Sequence, residues 1–254
     1  MKFKIIMAAY GCEKWIERCI DSIFEQTYTN WDLTVAEDCS KDDTAKVLKR
    51  VHNKYDRRFR TDYATSNCGV LARQHHAIAL AKPEDEDVIL IMDSDDWLTD
   101  KNSLQIVADA YADHNVWMTY GSLVRHPRGS RGRNAIPVKK GYDFRRKPWV
   151  LTHMRTFKYF LFKNIFDEDL RFTQTGEYYR AAADTATMKP MAEMAGWDHI
   201  RYIDKLIYTY NQTNKGKVGT RLRRIQAQGG SEVRHRLRYK QRTKQELLQG
   251  IKER

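Results

Sequence analysis

Apolar positions follow two rhythms through about the first 115 residues, short unbroken runs and helical stripes, and the two alternate. Phe3-Lys-Ile-Ile-Met-Ala-Ala9 and Val88-Ile-Leu-Ile-Met92 are compact apolar runs, the form of strands buried on both faces. Asp32 to Glu37 predicts another strand, and Arg60 to Ala64 a weaker one. Between them Ile16, Cys19, Ile20, Ile23 and Phe24 recur at helical spacing and predict an amphipathic helix over 13–26. Leu48, Val51 and Tyr55 mark a second helix over 43–54, with Ser40 as its expected N-cap and Asp43 three residues on. A third helix follows the turn Ser66-Asn-Cys-Gly69 and runs to Ala81, and Leu104, Val107, Ala108 and Tyr111 mark a fourth. Such alternation predicts an α/β fold, a mostly parallel central sheet with helices on both faces. Past residue 125 the rhythm loosens. A strand is expected over 116–124, helices over 153–163 and 184–195, and a strand over 202–211.

Length changes this picture little: 254 residues with 41% apolar content suit one good core and a small additional lobe. Charge changes it more. The net charge is +12, and residues 221–254 hold eleven Lys/Arg against three Glu, so most of the excess lies in a C-terminal tail. A second basic run from Arg125 to Lys147 has nine Lys/Arg against one acid, Asp143. This asymmetry fits an anionic partner, and equally a solvated tail. Leu237, Leu247, Leu248 and Ile251 lie among the tail cations, a thin stripe for contact with a membrane surface or nucleic acid. Cys12, Cys19, Cys39 and Cys68 show neither metal spacing nor a paired framework, as expected in a reducing cytosol. A strand beginning at residue 3 leaves no place for a secretory leader, and no run approaches a membrane span. The expected location is cytoplasmic, with peripheral contact at the inner membrane surface open.

The polar residues that close the strands carry the chemistry. Tyr10 ends the first strand, Asp38 the second, and Asp93-Ser-Asp-Asp96 the fourth. In a doubly wound sheet such ends converge on one crevice. Alone, Asp-Ser-Asp-Asp reads equally as a capped helix start or as carboxylates for a hard divalent cation. Together with an aromatic for a base and an acid for a base N–H or ribose hydroxyl, it favours a nucleotide site. The first strand–helix turn, Ala8-Ala-Tyr-Gly-Cys-Glu13, carries no glycine-rich phosphate loop, which argues against dinucleotide dehydrogenases and P-loop enzymes.

Met7-Ala-Ala-Tyr-Gly11, Ser22-Ile-Phe-Glu-Gln-Thr-Tyr28, Glu37-Asp-Cys-Ser-Lys-Asp-Asp-Thr44, Asn67-Cys-Gly69 with Arg73, and Asp93-Ser-Asp-Asp96 resemble, in order and spacing, the family 2 glycosyltransferases of GT-A fold. The resemblance implies a nucleotide-sugar donor, usually UDP-linked, and a Mn²⁺ or Mg²⁺ ion. It places Ala8, Ala9, Tyr10, Asp38, Arg73, Asp93 and Ser94 on the donor, with Tyr10 stacking on the base, and Asp93 and Asp95 on the metal. Donor binding would fall to residues 1–120 and acceptor binding to 121–220. The family's acceptor-side carboxylate matches Asp184 in Ala181-Ala-Ala-Asp184, where Ala183 replaces the usual Glu. Asp184 is the expected base of an inverting transfer, against the simpler role of a helix cap. Glu177 and Asp167 are second choices.

His153 and Arg155 are open between a phosphate contact and a structural turn, and the third metal ligand is left open. His75 and His76 read as ordinary helix residues. The acceptor is expected to be a glycan, lipid-linked or otherwise anionic. A nucleotidyltransferase, a glycosyltransferase acting on a nucleic-acid base and a non-catalytic nucleic-acid-binding protein are the rival readings.

Overall fold

The computed structural model describes all residues except 56, 133, 214–219, 251 and 254, and at 220–222 the backbone alone. Four parallel strands form the heart of the sheet: β1 (Phe3–Ala9), β2 (Trp31–Glu37), β3 (Phe59–Tyr63) and β4 (Val88–Asp93), ordered β4-β1-β2-β3. They are linked by α1 (Ile16–Phe24), α2 (Thr44–His52) and α3 (Val70–Ala81). The two-residue period of β1 sends Ile5 and Met7 against the apolar stripe of α1 and Leu48 of α2, and Ile6 towards α3. Register then fixes the site. Ala8 lies beside Ala36 on one side and Asp93 on the other, so the chain leaves β1, β2 and β4 at one level.

Beyond β4 come β5 (Trp97–Leu98), α4 (Ser103–Ala110), β6 (Met118–Gly121), β7 (Val124–His126), β8 (Ser130–Arg131), β9 (Arg155–Lys158) and α5 (Tyr159–Phe162). The remainder holds α6 (Ala183–Ala195), β10 (Ile200–Ile203), β11 (Tyr208–Asn211), α7 (Thr220–His235) and α8 (Lys244–Leu248). β9, β6 and β10 extend the main sheet to seven strands, with β9 antiparallel between β4 and β6. A second sheet, β5-β11-β7-β8, packs behind the Asp93–Asp96 turn.

Four expectations need correction. The strand over 116–124 is two strands in different sheets, because the chain turns at Gly121 and Ser122 to bond Thr152 and Ile203. The strand over 202–211 divides in the same way into β10 and β11. His153 to Lys163 begins as β9 rather than a helix, its residues Arg155 to Lys158 all buried between neighbouring strands. Ser40 does not cap α2; its hydroxyl accepts from Gly11 N, while Asp42 receives the Thr44 N–H at 3.1 Å.

The basic tail folds onto the body. Arg145, 2% exposed, forks onto Glu193 of α6 at 2.7 and 2.9 Å and donates to the Val233 carbonyl of α7. The Tyr239 hydroxyl donates to Asp169, and Leu247 of α8 is fully buried. Leu237 stays exposed, and Ile251 lies outside the described residues. All four cysteines are free thiols, and among the described residues no helix is long and apolar enough to cross a membrane.

Candidate active site

A cavity of about 400 Å³ opens at the carboxyl ends of β1, β2 and β4. Ala8, Ala9 and Tyr10 form one wall, Tyr10 with 48% of its surface exposed and its ring available for stacking. Asp93, Ser94 and Asp95, at the adjacent end of β4, line it beside them. Asp38 closes the floor, where its carboxylate accepts from Cys68 N at 2.7 Å, Gly69 N at 2.8 Å and Asn67 Nδ2 at 2.8 Å. Those bonds staple the 67–69 loop to the end of β2 and leave one lone-pair direction of four for a ligand. Gly69 takes φ +90° there, and a Cβ on it would stand 3.0 Å from Arg180 Cγ.

Arg180 is the cation of this cavity. It crosses from the second half of the chain and donates to Asn67 Oδ1 at 3.0 Å. Arg73 is not. Its guanidinium turns to the part-exposed carboxylate of Asp62 on β3 at 2.5 Å, and the residue, expected on the donor, does not line this cavity. Burial alone would raise the Asp62 carboxyl, but the Arg73 bond and charge outweigh it and hold the group below its ordinary value.

The acid cluster separates by burial. Asp96 is fully buried, accepting from Tyr208 Oη at 2.8 Å and Asn211 N at 2.7 Å, and thereby fixes β11 under the turn. Burial, with Asp96 and Asp93 close by, pushes the Tyr208 hydroxyl well above its usual range, so it stays a neutral donor. Asp93 faces the cavity, with His153 Nε2 3.5 Å from its carboxylate. The His153 ring stacks on Tyr208 at 4.5 Å. Ligand atoms of Asp93, Asp96 and His153 all lie within 4.8 Å of one another, a donor set with room for one cation. Asp96 already serves Tyr208 and Asn211, while Asp93 and Asp95 line the donor cavity side by side and His153 lines the adjoining cavity that Asp93 shares. Carboxylate oxygens beside a diphosphate suit Mg²⁺ or Mn²⁺, and one imidazole is compatible with Mn²⁺.

From His153 a polar chain runs to the far half of the molecule. Arg155 Nη2 lies 3.0 Å from His153 Nε2, and Arg155 Nη1 lies 3.2 Å from Asp184 Oδ2. Asp184 sits in the first turn of α6, two residues after Ala182, which adopts φ +68°. A non-glycine residue in that region stores roughly 1–3 kcal/mol of strain, a condition typical of functional sites. α7 holds the strained loop in place: Gly229 passes so close that a Cβ would stand 3.2 Å from Ala181 O. Asp184 lines two cavities at once, one of about 220 Å³ shared with Asp93 and one of about 430 Å³ leading away from the donor side.

Of the second choices, Asp167 bonds Arg171 and Tyr178, and Glu177 lies 3.6 Å from Arg180; neither lines these cavities. His75 packs on Tyr178 and Phe162 and His76 faces Asp62, as ordinary helix residues do. Arg180 escaped the sequence reading because its partner, Asn67, lies 113 positions away. The only local signal was an arginine four residues before Asp184.

The strand ends of this sheet gather an aromatic and an acid cluster, with a carboxylate facing them from α6. Solved structures share this fold. Staphylococcus aureus TarS 1–349 in complex with UDP-GlcNAc superposes with a TM-score of 0.65 at 18% identity, over 91% of this chain and 66% of that one. The Pyrobaculum calidifontis mannosyltransferase PcManGT, solved with GDP-Man and Mn²⁺, gives 0.61 at 19% identity, over 88% and 60%. The chain belongs to glycosyl transferase family 2, whose model matches residues 4–171. Among curated relatives, the Escherichia coli β-1,3-glucosyltransferase WfgD is 30% identical over 141 residues, 55% of this chain and 53% of that protein. TarS of S. aureus strain Mu50, a poly(ribitol-phosphate) β-N-acetylglucosaminyltransferase, is 29% identical over 117 residues, 45% and 20%. The matched part thus spans about half or less of these relatives' length.

Proposed function

We propose that this chain transfers a sugar from a nucleotide-diphospho-sugar to an acceptor hydroxyl with inversion at the anomeric carbon. The observation that carries the reading is the position of Asp184, at the junction of the donor-side cavity containing Asp93 and the cleft beyond it. A base there can take the proton of an acceptor hydroxyl as its oxygen attacks the anomeric carbon. The carbon–oxygen bond to the nucleoside diphosphate breaks in the same step, on the opposite face.

Tyr10 stacks on the base, Ala8 and Ala9 border it, and the remaining acceptor direction of Asp38 meets a base or ribose donor. Ser94 lies beside the ribose. Arg180 stands at the cavity mouth, where its guanidinium can clamp phosphate oxygens bidentately. Asp93 and Asp95, with His153, would hold a divalent cation, which when bound offsets charge growing on the departing diphosphate. Arg155 orients Asp184. UDP is favoured as the nucleotide because WfgD carries UDP-Glc in its name and TarS is solved with UDP-GlcNAc.

The test is a donor-hydrolysis screen over nucleotide sugars with Mn²⁺, with and without chelator. UDP-sugars should be consumed, with nucleoside diphosphate rather than pyrophosphate released. Asp95→Ala should lose metal-dependent nucleotide binding and turnover together. Full turnover with chelator present would remove the metal from the mechanism.

A further inference from the structure

Resting on this transferase reading, we propose that the acceptor carries an oxyanion, a phosphate or carboxylate, which is read by Arg125 in the cleft on the far side of Asp184. The cleft, about 430 Å³, is within the size range of small-molecule sites. Its lining joins Arg125 of β7, Trp149, Gln212 and Gln226 of α7 to the base Asp184. Charge decides the ligand. Among the described residues Asp184 is the only carboxylate in the lining, and it is already paired with Arg155 at 3.2 Å. No carboxylate pairs with Arg125 among the described residues. Of the other described cations in the 125–147 run, Arg131 is paired with Asp204 and Arg145 with Glu193, while Arg128, Lys139, Lys140, Arg146 and Lys147 do not line the cleft. Arg125 is therefore a guanidinium facing a cleft with its fork open, the geometry that binds phosphate or carboxylate bidentately.

Two further features fit a carbohydrate bearing that anion. Trp149 presents a flat apolar wall on which a sugar ring can lie. Gln212 and Gln226 supply amide donors and acceptors suited to hydroxyls. Among the described residues Arg125 is the open arginine of the lining, placed to hold one charge beside the reacting hydroxyl.

The experiment measures binding by calorimetry, without donor, of methyl glucoside, methyl glucoside 6-phosphate and methyl glucuronoside. The two anionic probes separate phosphate from carboxylate as the source of charge. One of them should bind about 10-fold more tightly than the neutral glycoside, as expected for a hydrogen bond to a charged group. In Arg125→Gln that ratio should fall to near one, and Arg125→Lys should restore part of it. Thermal midpoints of the variants confirm that they are folded. Equal binding of all three probes, or a preference undiminished in Arg125→Gln, overturns the proposal. So does preference for a single-stranded oligonucleotide with a salt dependence of several phosphates. Because the binding needs no donor, these results stand apart from donor hydrolysis, whose absence would instead overturn the transferase reading.

Discussion

Asp184 holds its place by one ion pair and one strained neighbour, and its chemistry can be separated from both. Asp184→Asn preserves size and keeps an oxygen for Arg155, but it cannot accept the hydroxyl proton. Transfer should fall by roughly 10²–10⁴, the usual contribution of a positioned base. Nucleotide-sugar affinity, set across the molecule by Tyr10 and the β4 turn, should change little. Titration of donor binding alongside product formation distinguishes this from a capping role; normal transfer by the variant would place the base elsewhere. Residue chemistry was readable here because each type has few uses at a strand or helix end. Asp93, Asp95 and Asp184 all emerged in the site's walls. The arginines were not readable in the same way. Arg73 and Arg180 are chemically equal, and only the position of Asp62 on β3 decides that the first is taken up in an ion pair away from the cavity.

At the scale of elements, the 67–69 loop joins the two halves of the site. Asp38 binds it from below and Arg180 lies across it, so loop geometry sets the donor cavity. Gly69→Ala would force a side chain into φ +90° and press on Arg180, 3.0 Å away. The strain should cost about 1–3 kcal/mol of stability. Donor affinity should fall as well, because Arg180 must shift. A lowered thermal midpoint with unchanged donor affinity would mean that Arg180 does not touch the donor. Elements were legible where one rhythm persisted, as in β1, α1 and β4. They were lost where strand and helix abut. Arg155 to Lys158 and Tyr159 to Phe162 form one apolar-rich stretch, and only the partners of β9 on both sides make its first half a strand. Tyr202 to Asn211 failed for a related reason, since its two ends serve two sheets.

The C-terminal segment closes onto the body, and three of its cations, Arg236, Arg238 and Lys244, pair there with Asp169, Asp143 and Glu86. Glu232 of α7 binds Thr173, and Arg238 binds Asp143 at 2.8 Å. For both carboxyls burial acts upward but is outweighed. Thr173 donors hold Glu232 below its ordinary value, and Arg238 with the N–H groups of Arg146 and Arg145 holds Asp143 below its own. A carboxylate depressed in the folded state binds fewer protons there than in the unfolded chain. Its stabilisation is therefore complete above the unfolded value, about 4 for these groups, and is lost as pH falls through the lower folded value. The thermal midpoint should stay level from about pH 7 to 5 on this account and decline below about pH 4. Glu232→Gln with Asp143→Asn should flatten that decline by up to about two protons' worth of slope. An unaltered slope would show that the acid sensitivity arises elsewhere. Because α7 also presses on Ala181 through Gly229, loosening it releases the loop that carries Asp184. Transfer should therefore fail at a higher pH than global unfolding, a gap that activity and midpoint measured on one sample would reveal.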